Sequence, residues 1–91
     1  MSISVVYSKH LGQIIGDITE NMDGSYTMGS PCIIQLGNNQ VGLIPLFTTV
    51  KQKNFKISKE DLVFQELFEP EDDIRNYYSS NYGSGLQLVT N

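Results

Sequence analysis

Cysteine and histidine are nearly absent from this 91-residue sequence, which holds one of each, Cys32 and His10. A lone cysteine excludes an intramolecular disulfide and a multi-cysteine zinc site, and it suits a reducing compartment, so a cytoplasmic location is expected. With one thiol and one imidazole, most metal and nucleophile chemistries lack their parts; neither an enzymatic activity nor a cofactor is expected. Long apolar runs are missing as well. Stretches such as Leu43 to Phe47 span a few residues against the roughly 20 that cross a bilayer, so no membrane association is expected. The opening Met1-Ser2-Ile3-Ser4 has no basic region and no apolar core, and nothing there suggests export. Cations are scarce too: six Lys and Arg against ten Asp and Glu give a formal net charge of −4. That balance argues against a body coated in positive charge for duplex DNA.

What is present is unevenly placed. Residues 51–59 hold Lys51, Lys53, Lys56 and Lys59 and no acid, a local net of +4. Residues 60–73 hold Glu60, Asp61, Glu66, Glu69, Glu71, Asp72 and Asp73 and no base, a local net of −7. The lysine run reads either as a solvated polar loop or as a local anion-binding surface on an acidic body. A chain of this length makes one domain, with a core thin enough that association with copies of itself would help it.

The hydrophobic pattern has a period of two over most of the chain. Ile3, Val5 and Tyr7 alternate with Ser2, Ser4 and Ser8 as a half-buried strand. A turn at residues 9–12 leads to a second strand over residues 13–20, with Ile14 and Ile18 on one face and Gly16 where a side chain would not fit. Asn21-Met22-Asp23-Gly24 carries a hairpin signal. From Tyr26, the apolar even positions Met28, Cys32, Ile34 and Leu36 make a long third strand, bent or bulged at Gly29-Ser30-Pro31. After a turn at residues 37–40, residues 41–50 form a fourth strand, apolar on both faces, and residues 61–68 a fifth. The expected fold is all-β: a small five-stranded, strongly bent antiparallel open barrel over residues 1–69.

At Glu69-Pro70-Glu71-Asp72-Asp73 the period changes. Proline and acids suit a first helical turn, and Ile74, Tyr77 and Tyr78 fall on one face. The spacing predicts a short C-terminal helix over residues 70–79, laid over the barrel or its neighbour. A flexible stretch over residues 79–85 follows, ending in Leu86-Gln87-Leu88-Val89, which either frays or adds a strand to an open edge.

The run Val5-Val6-Tyr7-Ser8-Lys9-His10-Leu11-Gly12, continuing through Gly16 and Ile18, resembles the first signature of Sm-like (LSm) proteins. Gly29-Ser30-Pro31-Cys32, Ile44-Pro45-Leu46 and the Glu69-Pro70 step into a terminal helix are similar to small phage-type members of that family. The resemblance covers roughly residues 3–78 and rests mostly on the order of elements. The family's Ile-Arg-Gly signature is missing. Asp73-Ile74-Arg75-Asn76 mimics it but follows Pro70 and three acids, and the expected place is filled by residues 48–60 with the lysine run. The resemblance implies a homo-oligomeric ring, made by pairing the fourth strand of one copy with the fifth of the next, and single-stranded RNA or DNA on the face lined by the loops after strands two and four. For a phage-encoded chain the compartment would be the host cytoplasm. Base selectivity does not carry over.

Lys51, Lys53 and Lys56 with Phe55 combine cations for phosphates and a flat ring for bases, the combination single-stranded nucleic acid needs. Asn21, Asp23 and Tyr26 are further candidates by neighbourhood, Tyr26 either stacking a base or filling the core. His10 reads as an idle turn residue and Cys32 as core. The carboxylates from Glu69 to Asp73 are explained as helix-start acids, without the calcium-loop spacing and glycine. A different reading keeps the fold as a structural adaptor, with the acidic helix and Tyr77, Tyr78 and Tyr82 as its contact with an unknown protein.

Overall fold

A computed structural model describes residues 2–82. The described residues are mainly β, with six antiparallel strands in an open sheet followed by one helix: β1 (Ile3–Ser8), β2 (Gly12–Glu20), β3 (Tyr26–Gly37), β4 (Gln40–Pro45), β5 (Asn54–Ile57), β6 (Leu62–Phe68) and α1 (Asp72–Tyr82). The pairing order is β4-β3-β2-β1-β6, and β5 joins the same edge of β3 that β4 occupies further along. β4 and β6 are therefore the ends of the order. The strand count differs from the sequence expectation because Asn54–Ile57 lies within the supposed lysine loop. There Phe55 and Ile57 turn inward while Asn54 and Lys56 face water, a period of two that the lysines disguise.

The turns form where short-range chemistry favours them. Gly12 and Gly24 take positive φ of 81° and 90°, a conformation in which a Cβ is strained. In the β2–β3 turn the Asp23 carboxylate accepts from the Ser25 amide at 3.0 Å and the Ser25 hydroxyl at 2.6 Å. The bend expected in β3 is present: its register with β2 shifts between Ile15↔Cys32 and Asp17↔Gly29, and Ser30 takes a φ of 47°. The bulge flips the strand, so Met28 packs in one core cluster and Cys32 in another, although both stand at even positions.

One cluster joins Val6, Ile14, Ile18, Tyr26, Met28 and Leu62. Tyr26 on β3 and Leu62 on β6 share it although two strands lie between, and the Tyr26 hydroxyl reaches the Gln65 carbonyl at 3.5 Å. Three strand spacings in a flat sheet would be roughly 14 Å, so the sheet is strongly curled. The β1 phase differs from expectation. Val6, Ser4 and Ser8 are buried, and Ile3, Val5 and Tyr7 take the opposite face. Ser8 fits inside because its hydroxyl accepts from the His10 and Leu11 amides and so completes the turn.

The second cluster, Ile15, Cys32, Leu43 and Tyr78, lies on that opposite, outer face beneath α1. The helix buries Ile74, Tyr78 and Tyr82 at intervals of four, while Tyr77 is exposed on its flank. It begins two residues after Pro70 and runs on to Tyr82, so residues 79–82, expected as the start of a flexible stretch, complete a helical turn. Tyr78 is fully buried and is not available as a contact for a partner. The tail containing Leu86 to Val89 lies outside the described residues. Strand β4 ends at Pro45, earlier than expected, with one further bond from the Leu46 amide to the Pro31 carbonyl. No helix among the described residues is long and apolar enough to cross a membrane.

Candidate nucleic-acid interface

Because β5 pairs with the first four residues of β3, the lysine segment lies beside the β2–β3 turn. This brings Lys56 and Lys59 together with Asn21, Asp23 and Tyr26, two groups far apart in the chain, Lys56 and Asp23 being 33 positions apart. Two lysines are held by acids of the turn: Lys56 Nζ lies 2.9 Å from Asp23 Oδ2, and Lys59 Nζ 2.7 Å from Glu20 Oε2. The Ser25 hydroxyl, then Lys56, hold the Asp23 carboxyl well below the usual carboxylate range. The Glu20 carboxylate likewise raises the Lys59 ammonium above its ordinary value.

Lys51 and Lys53 are different. Both are exposed, and among the described residues neither has a carboxylate within 4 Å. They sit in the segment between β4 and β5, which is closed at its base by a pair of rings. Phe47 stacks on Phe55 with centroids 4.1 Å apart and planes inclined by 22°. The Ser30 amide also donates to the Lys53 carbonyl at 2.8 Å, tying the loop to the β3 bulge. The result is a short loop pinned at both ends that carries two cations unpaired among the described residues and a half-exposed aromatic ring, Phe47 at 47% exposure.

The remaining candidates are differently placed. Tyr26 is only 2% exposed, with the Lys59 ammonium 5.2 Å from its ring centroid, so its face is already covered. Asn21 spends its amide inside the turn, donating to the Ser25 hydroxyl at 2.9 Å and accepting from Thr27 at 3.1 Å. Phe55 gives one face to Phe47 and is half-buried. Phe47 was not a candidate from the sequence. It stands in an apolar run that reads as strand, and no local spacing links it to Phe55; the pairing exists because β4 stops at Pro45.

Burial pushes the Cys32 thiol up to about 11, leaving it protonated at neutral pH. Among the described residues, no group of three or more His, Cys, Asp or Glu could hold a metal ion. No protein-family model matches the chain, and no curated protein matches it.

Proposed function

We propose that this chain is a non-enzymatic, Sm-like subunit that assembles with copies of itself into a ring and binds single-stranded RNA or DNA through the loop bearing Lys51 and Lys53. The observation that carries the reading is that loop: two cations with no carboxylate within 4 Å among the described residues, in a segment held by the Phe47–Phe55 stack with Phe47 half exposed. Phosphate contact needs unpaired charge, and base contact needs a flat ring that is already ordered. Lys56 and Lys59 contribute less, since a phosphate would first have to displace Asp23 or Glu20. Self-assembly is supported by the two ends of the sheet. Among the described residues β4 and β6 are unpaired on their outer sides, and they carry exposed Ile44 and Val63, a combination that favours edge-to-edge pairing. A ring would repeat the lysine loop once per subunit and strengthen a weak individual contact.

Fluorescence anisotropy with labelled oligo-U and oligo-A tests the reading. Affinity should fall steeply with salt, and the Lys51→Ala/Lys53→Ala variant should flatten the slope of log K against log salt by about 1.4, two phosphates at about 0.7 each. Absence of binding at low salt, or binding unchanged in that variant, overturns it. Light scattering should return a multiple of the 10.2 kDa chain mass; a monomer would remove the ring.

A further inference from the structure

We propose that the part of the outer sheet face left uncovered by α1 is a docking groove for a cationic, apolar peptide segment of a partner protein. α1 covers Ile15, Cys32 and Leu43 and stops short of the opposite half of the same face. There a groove of about 480 Å³ runs between the sheet and the start of the helix. Its floor is Tyr7, Leu36, Val41, Phe64 and Phe68, and these side chains stand out from the sheet face, so pairing along the strand edges would leave them open. Leu36 and Phe64 are 67% and 52% exposed, a high exposure for neighbouring apolar side chains.

The aromatic floor is already ordered. Tyr7 meets Phe64 edge-on at 6.3 Å, and Phe64 meets Phe68 edge-on at 5.8 Å. Rings fixed in this way lose little side-chain entropy when a ligand covers them. The charge of the rim selects the occupant. Glu69, Glu71 and Asp73 line the groove where the chain enters α1. Arg75 pairs with Glu69 at 3.0 Å and with Asp72 at 3.6 Å, which leaves Glu71 and Asp73 with no cation within 4 Å among the described residues. An apolar floor beneath unpaired carboxylates fits a segment that alternates apolar side chains with Lys or Arg, and it repels an acidic segment or a phosphate backbone.

The probe is a fluorescein-labelled peptide of alternating Leu and Lys, compared with its Leu/Glu counterpart on the full-length chain. The cationic peptide should bind and the acidic one should not. Glu71→Lys/Asp73→Lys should weaken binding at least about tenfold, with a shallower salt dependence. Phe64→Ala and, separately, Leu36→Ala should each weaken it several-fold while the circular dichroism spectrum stays unchanged. Equal binding of both peptides, binding of neither, or no effect of the charge reversal overturns the proposal. So does a fall in assembly mass on Phe64→Ala without peptide binding, which would assign the groove to a second copy. Lys51→Ala/Lys53→Ala should leave the peptide bound, so failure of the oligonucleotide reading and failure of this one are separable.

Discussion

The Tyr78 hydroxyl lies 2.9 Å from the carbonyl oxygen of Ser30 and 3.0 Å from that of Gly29, so one buried phenol bridges both carbonyls of the β3 bulge. Ser30 has a left-handed backbone there, and helix and bulge depend on each other. Tyr78→Phe leaves the ring's packing intact but removes a donor shared by two part-buried carbonyls. It should destabilise the protein by about 1–3 kcal/mol in urea titration.

Gly16 faces the same bulge from β2. A Cβ at Gly16 would meet the Gly29 carbonyl oxygen at 3.0 Å and the Pro31 Cα at 3.4 Å. Both are backbone atoms, and the carbonyl is also an acceptor for Tyr78, so neither can easily give way. Gly16→Ala should cost about 1–3 kcal/mol, the range for overpacking, whereas Gly37→Ala should change thermal stability little, its nearest neighbour being 3.9 Å away.

Alkaline pH should weaken the fold before neutral or mildly acid pH does. Burial raises the Cys32 thiol from 9.0 to about 11 and raises the Tyr78 phenol as well. Between about pH 9 and 11 the unfolded chain has released its thiol proton while the folded chain keeps it. The native state then binds more protons, and stability falls as pH rises. Denaturant midpoints across this range should decline, and less so in Cys32→Ala. Native Cys32 should also react with a thiol reagent at pH 8 far more slowly than in denaturant.

Asp23 should behave in the opposite sense. Its carboxyl is held low chiefly by the Ser25 hydroxyl and then by Lys56. The ionised form therefore favours the folded turn at pH values above about 3.9, and that contribution is lost as pH falls through the folded value. In a carbon-detected NMR titration, Ser25→Ala should raise the Asp23 midpoint further than Lys56→Ala does.

The lysines should separate by their partners. Lys51→Ala and Lys53→Ala should each reduce oligonucleotide affinity more than Lys56→Ala, because Lys56 is already engaged by Asp23. Phe47→Ala should cost about 1–3 kcal/mol of binding if a base stacks on that ring, measured by anisotropy at fixed salt.

Local signals carried much of the architecture. The glycine and asparagine turns, the bulge at residues 29–31 and the acid-rich helix start announced themselves through backbone preferences that act over a few residues. Side-chain facing was less legible. Serines at 4 and 8 read as solvent-facing because their burial depends on a curled sheet and on a turn that uses one hydroxyl. Tyr26 and Tyr78 likewise carry polar groups whose partners lie far away, at Gln65 and at the bulge. The lysine segment was visible as charge. Which lysines stay unpaired depends on β5 lying against β3, a long-range pairing that no window of sequence contains.

The pairing of β1 with β6 has a kinetic consequence. Val5 meets Phe68 and Ser8 meets Leu62, so the first strand waits for nearly the last before its second edge is satisfied. Hairpins β1–β2, β2–β3 and β3–β4 can form as the chain leaves the ribosome, but that closure waits for residues 62–68. During synthesis the free edge of β1 is open to exchange with other nascent chains until residues 62–68 have emerged.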